Sequence, residues 1–185
     1  MRRTPLLRAI CLGGLLVGLT ACPPAQALDK WGPFRGRIVD VETGQPLAGA
    51  AVLVIWWEAV YTPVQTNTKF YDAREAVTDA DGRFEIPRLT PPFFTFRIRQ
   101  PQVTYFAPGY APHGTVVTPP DGQPFVAPTV VQLRRLKTRE ELKRKSRGYP
   151  SMVPEAKMPN FLRAIDIEDR MLWPGRSQPG KGGQP

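Results

Sequence analysis

Thr78-Asp79-Ala80-Asp81-Gly82-Arg83-Phe84-Glu85-Ile86 decides how this 185-residue chain reads. Asp79 to Gly82 is a turn, because Gly82 can take the positive φ that closes a tight hairpin. Beyond it Phe84 and Ile86 point one way while Arg83 and Glu85 point the other, the alternation of a sheet with one dry and one wet side. Downstream, Phe94, Phe96 and Ile98 share a face opposite Thr95, Arg97 and Arg99, which predicts another strand. Val103–Phe106, Thr115–Thr118 and Thr129–Leu136 are further strands, each bounded by Pro or Gly. Upstream, Arg37 to Val41 is a short strand, and Glu42-Thr43-Gly44-Gln45-Pro46 reads as a turn. Ala50 to Val60 carries bulky apolar residues at both parities, so both of its faces are expected to be covered. Phe70 to Thr78 is mixed and expected to be more exposed. The 22 prolines argue against long helices, and short strands between turn signals predict an all-β sandwich.

Three fragments in order strengthen this reading. Gly36-Arg37-Ile38-Val39-Asp40 followed by Thr43-Gly44-Gln45-Pro46-Leu47-Ala48-Gly49-Ala50-Ala51-Val52 comes first, then the Thr78–Ile86 stretch, then Ala107-Pro108-Gly109-Tyr110. Together they resemble the carboxypeptidase regulatory-like domain, over Gly36 to Leu136. The resemblance implies a transthyretin-like, Ig-like β-sandwich of about seven strands, set in residues 35–136, with a short helical appendage after it. It also implies binding or scaffolding, since every motif position serves the fold and none carries a reactive group. The segment Trp57 to Arg74 is longer and more aromatic than the family pattern.

The N-terminus reads as an export signal. Arg2, Arg3 and Arg8 form a basic region, and Ala9 to Thr20 is an apolar run too short for a bilayer, which needs about 20 residues. Leu19-Thr20-Ala21-Cys22 resembles the bacterial lipobox. That resemblance implies cleavage after residue 21, acylation of Cys22 (palmitate among the chains), and a linker over residues 22–34. Because Pro23 rather than aspartate follows the cysteine, the resemblance implies the outer membrane. The competing site is Ala25-Gln26-Ala27, which would release a soluble periplasmic protein starting at Leu28. Cys11 and Cys22 are the only cysteines, so the exported chain has no intramolecular disulfide.

The formal charge is +9, and loss of the three signal arginines leaves about +6, from 22 of the 25 basic residues against 16 acidic ones. An exported protein of that charge meets anionic headgroups or cell-wall polymers rather than nucleic acid, and the charge also serves solubility. After Leu136 the pattern becomes helical, and residues 137–173 are expected to hold short helices. Thr138-Arg139-Glu140-Glu141 has the form of a capping box. Glu140 and Arg144, then Glu141 and Lys145, stand at i,i+4 spacing on a basic helix ending near Gly148. Asn160 is the expected cap of a second helix over Phe161 to Trp173, with Phe161, Leu162, Ile165 and Leu172 on one face and Pro174 as its stop. The tail, residues 174–185, reads as disordered from Gly175 on.

The inventory of reactive groups is thin. His113, the sole histidine, lies in a loop, so a nucleophile–histidine–acid set or a histidine-rich zinc site lacks its parts. Asp79 and Asp81 fit the hairpin turn better than a calcium loop. Glu58, Asp72 and Glu75 would be candidate paired carboxylates, but nothing in the sequence sets their separation. No enzyme activity, metal or cofactor is therefore expected. Trp56 and Trp57 face opposite ways in a strand. With Tyr61, Phe70 and Tyr71, Trp57 would form a platform that stacks on a sugar or anchors a partner, or else it lies under the C-terminal helix. The basic segment Arg134 to Arg147 would touch anionic polymer or stay solvated. The expected function is that of a non-enzymatic envelope lipoprotein acting as an interaction or assembly module with an envelope protein partner. The alternative is a glycan- or cell-wall-binding module using Trp57 to Tyr71.

Overall fold

Ala51–Tyr61 forms the central strand of the molecule and is apolar on both sides for a structural reason: each side meets a different core. In the computed structural model, which describes residues 30–91, 93, 95–111, 130–145 and 150–174, the elements follow in order. They are β1 (Phe34–Asp40), β2 (Ala51–Tyr61), β3 (Thr66–Val77), β4 (Arg83–Ile86), a 3-10 turn (Thr95–Arg97), β5 (Gln102–Phe106), β6 (Val130–Leu133), α1 (Arg139–Arg144), a second 3-10 turn (Glu155–Lys157) and α2 (Pro159–Leu172). They make two three-stranded sheets, ordered β4-β1-β6 and β3-β2-β5. β1 runs antiparallel to β4 and parallel to β6.

The first core lies between the sheets. Val52, Val54 and Trp56 of β2, with Val103 and Tyr105 of β5, face Phe34 and Ile38 of β1, Phe84 and Ile86 of β4, and Val131 and Leu133 of β6. The second core lies on the outer side of the β3-β2-β5 sheet. There Ala51, Leu53 and Ile55 of β2, with Ala73 and Phe106, pack under Val153, Met158, Phe161 and Ala164. The architecture is thus sheet, sheet, helix, as β2 at both parities required. Six strands are described, against the expected seven or so.

The three motif fragments converge at one end. The Ile38 N–H donates to the Gly82 carbonyl (2.8 Å), and the Tyr110 hydroxyl donates to Asp40 Oδ2 (3.1 Å). Gly82 takes φ +71°, and a Cβ there would collide with the Ile38 carbonyl oxygen, so the position needs glycine twice over. Asp79 Oδ1 accepts the Asp81 and Arg83 N–H groups, so this carboxylate shapes the turn.

Three expectations change. The strand over Phe94 to Arg99 is replaced by the 3-10 turn and a single bridge, Ile98 to Glu58. Pro91 and Pro92 before it and Pro101 after it remove ladder donors, so the alternation has no partner strand to follow. Ile98 of that face is buried, whereas Phe96 is exposed. The linker does not extend to residue 34: Trp31 and Phe34 are buried, and the Lys30 carbonyl accepts the Trp56 indole N–H at 2.7 Å. The sandwich therefore begins before residue 35. The long Trp57–Arg74 segment is the distal half of one hairpin, in register from Trp57–Phe70 to Tyr61–Thr66, with a bulge at Trp56/Trp57. Residues 1–29, including Cys22 and Ala27, lie outside the described residues, as do Thr115–Thr118, Thr129, His113, Phe94, Gly148 and residues 175–185.

Candidate interaction surfaces

The helix α2 is seated by a carboxylate from the sheet. Pro159 is its first residue and carries no N–H, and the cap residue Met158 makes no side-chain capping bond. The next two donors, Asn160 N and Phe161 N, both bond Glu75 of β3, at 2.8 and 2.9 Å. Asn160 is therefore not the cap that the sequence suggested; its Oδ1 instead accepts from Arg163 at 3.3 Å. A negative group at the positive end of a helix is favourable as well as bonded. Phe161 of α2 meets Phe106 with ring centroids 5.4 Å apart.

At the other end of α2, Glu168 is buried and accepts Lys145 Nζ at 2.6 Å and the Gly109 N–H at 3.0 Å. The Lys145 ammonium also lies 4.0 Å from the Phe106 ring centroid. Lys145 thus pairs across to α2 instead of serving only as a helical neighbour of Glu141. The capping box of α1 forms as its residues imply, with Thr138 Oγ1 accepting the Glu141 N–H and Glu141 accepting the Thr138 N–H. Bonds from the Lys137 and Thr138 N–H groups hold the Glu141 carboxyl below its ordinary pKa, against a smaller opposing effect of burial.

The imagined carboxylate set is dispersed into structural roles. Glu58 pairs with Lys69 at 3.0 Å, Asp72 with Lys157 at 2.7 Å, and Glu75 caps α2. The buried Asp40 accepts the Glu42 and Thr43 N–H groups and the Tyr110 hydroxyl. Burial works to raise the Asp40 pKa, but those bonds, together with the Thr43 side chain, outweigh it and hold the carboxyl below its ordinary range. Burial, then the neighbouring Asp40, pushes Tyr110 up. Burial alone carries Tyr105 to about 12. Among the described residues, no group of three or more His, Cys, Asp or Glu could hold a metal ion. Among them, too, no helix is long and apolar enough to cross a membrane.

The four aromatic candidates do not form one platform. Trp57 and Phe70 meet edge to face at 6.2 Å, on the side of the sheet that holds the C-terminal helix. Tyr71 turns to the opposite side, against the core between the sheets. Tyr61 stands near the hairpin tip, 65% exposed. The Trp57 indole N–H donates to Gln102 Oε1 at 3.0 Å. It borders an open cleft of about 270 Å³ with Thr68, Arg99, Gln100, Gln102 and Met152.

A feature that the sequence did not reveal lies at the same end of the sheets. Phe93 is 94% exposed, Phe96 69% and Val64 92%. Alternation had assigned Phe96 to a dry face, and only the lost strand pairing puts it in solvent. The basic segment after Arg134 is largely held by the fold itself: Lys137 pairs with Glu42 at 2.9 Å, Arg134 with Glu141 at 3.5 Å, and Arg139 bonds the Leu172 carbonyl.

Comparison with family models, with curated proteins and with solved structures finds no match to this chain.

Proposed function

We propose that this chain is a non-enzymatic envelope lipoprotein, exported by its first 21 residues, acylated at Cys22 and held at the outer membrane as an interaction or assembly module. The observation that carries its non-enzymatic part is where the buried polar side chains go among the described residues. Asp40, Thr78 and Glu168 are each bonded to the protein's own backbone, and Glu58, Asp72 and Glu75 are likewise engaged in ion pairs or a helix cap. Groups held in that way brace a scaffold and are poorly placed to move protons. In this reading the sandwich is transthyretin-like and of the carboxypeptidase regulatory-like kind. The convergence of Asp40, Gly82 and Tyr110 supports it, because one physical cluster then accounts for all three motif fragments.

The test is crosslinking in intact cells with the tagged, membrane-anchored protein, read by mass spectrometry. One reproducible envelope protein, crosslinked at defined positions, is the expected result. Retention of cell-wall or capsular sugar with no protein partner would overturn it. Labelled palmitate that enters the wild type and not Cys22→Ala checks the anchor. Cleavage after Ala27 would instead leave a soluble periplasmic protein.

A second reading rests on the cleft beside Trp57. A half-buried indole, a guanidinium and side-chain amides line it, the mixture of apolar face and polar edge that a sugar ring requires. Tryptophan fluorescence should then change on titration with an envelope polysaccharide, and an unchanged signal across a broad set would remove this reading.

A further inference from the structure

The described chain begins at Lys30, and its bonds fix the end of the molecule at which it enters. The Lys30 carbonyl accepts from Trp56, its Nζ donates to the Ile98 carbonyl at 3.0 Å, and the Trp31 carbonyl accepts the Leu89 N–H at 2.8 Å. Entry is therefore beside the Thr95–Arg97 turn. The same end presents Phe93 and Phe96 to solvent, together with Tyr61 and Val64 of the β2–β3 hairpin. Its charge is one-sided. Segments 30–33, 57–70 and 87–102 hold Lys30, Lys69, Arg88, Arg97 and Arg99, against Glu58 as their only acid. The Arg97 guanidinium lies 5.7 Å from the Phe96 ring centroid, so cation and aromatic ring are presented together. At the far end, where Asp40, Gly82 and Tyr110 meet, Glu42, Asp79, Asp81, Glu140 and Glu141 interleave with the basic residues.

Chain length ties this end to the anchor. From Cys22 to Lys30 the backbone spans eight residue steps, which reach at most about 28 Å even when fully extended. A lipid on Cys22 therefore holds the entry end within about 28 Å of the bilayer. Aromatic rings flanked by cations suit the boundary between acyl chains and anionic headgroups.

We propose that this end rests on the membrane surface, with Phe93 and Phe96 entering the headgroup boundary of an anionic bilayer and Arg88 and Arg97 facing its phosphates. The orientation of the anchored protein rests on the lipoprotein reading, but the surface itself is testable without the lipid. The chain from Leu28 onward retains every described residue and contains no cysteine.

Its sedimentation with vesicles of phosphatidylglycerol and phosphatidylethanolamine is compared with phosphatidylcholine vesicles. Binding to the anionic vesicles that weakens with salt, and falls by about tenfold in Phe93→Ser/Phe96→Ser, is expected. The two rings are exposed, so an unchanged Tm should accompany that loss. Absence of anionic binding, or equal binding by the double variant, overturns the proposal. Independently of that variant, a polarity-sensitive dye on Phe93→Cys should shift to the blue with anionic vesicles, and an unshifted spectrum also overturns it. If sedimentation instead shows a dimer that the double variant dissolves, a second copy occupies this surface and the membrane assignment is wrong. Palmitate labelling of the full chain separately decides the anchor. Its failure with vesicle binding intact would remove the lipoprotein and leave the surface.

Discussion

Replacing Glu75 tests how the third layer is attached. In Glu75→Ala the Asn160 and Phe161 N–H groups lose their acceptor, while Pro159 has no N–H and Met158 has no capping side chain. Loss of a cap costs about 1 kcal/mol. Removing a negative charge from a helix N-terminus adds up to about 1 kcal/mol. The expected loss is thus about 2 kcal/mol, or a fall in Tm of about 7 °C for a domain of this size. Glu75→Gln keeps the shape and one acceptor oxygen, and should lose about half as much. Asn160→Ala, which would be the damaging change if Asn160 were the cap, should stay within about 0.5 kcal/mol. Urea unfolding of the three variants gives the magnitudes, and hydrogen exchange should place the loosening in α2. An Asn160→Ala loss larger than that of Glu75→Ala would refute the reasoning.

Lys145→Met leaves Glu168 buried with only the Gly109 N–H, and a broken buried pair costs about 3–5 kcal/mol; Lys145→Met/Glu168→Gln should cost less than the sum of its single changes, and additive losses in a urea double-mutant cycle would deny the coupling. Gly82→Ala should cost more than Gly44→Ala, itself about 1 kcal/mol, because both positions have positive φ but only Gly82 would place its Cβ against a backbone carbonyl; equal melting temperatures would contradict this. Since the folded Asp40 carboxyl lies below its ordinary value of 3.8, the unfolded state takes up its proton first as pH falls, so the contribution is present above that value and fades as pH drops through the folded pKa. Asp40→Asn should therefore flatten the acid limb of the stability curve below about pH 4, and parallel wild-type and variant curves down to pH 3 would exclude it. Ending the chain at Leu136 removes Met158 and Phe161 from the second core, each worth about 1.5–3 kcal/mol, and calorimetry should show a lowered or lost transition; an unchanged Tm would mean that the helical layer is dispensable.

Short-range patterns were readable because both partners lie within a few residues. The Asp79–Gly82 turn, the alternation of Arg83 to Ile86 and the Thr138–Glu141 box are of this kind. The two apolar parities of β2 also announced two covered faces, although not what covered the second. What escaped reading depends on distant partners. The cap of α2 comes from Glu75, 85 positions before Asn160, and a plausible local cap at Asn160 concealed it. Phe96 alternates as a strand residue should, yet the neighbouring prolines leave that face no ladder to join. Trp31 looked like linker because its core contacts come from segments far along the chain.

The helical layer changes which surfaces can serve binding. A bare two-sheet sandwich would leave the outer face of β3-β2-β5 free, and the aromatics of the long hairpin would then be natural ligands of that face. Here Phe161 and Met158 fill it, Glu75 and Glu168 pin the helix at both ends, and Trp57 and Phe70 are drawn against the same cluster. That face is core. Removing residues after Leu136 would expose Leu53 and Ile55 along with any partner surface, so loss of binding in such a truncation would report unfolding as readily as a lost contact. Substitutions at exposed positions separate the two causes, because a residue such as Phe93 can change its binding while the packing beneath it stays intact.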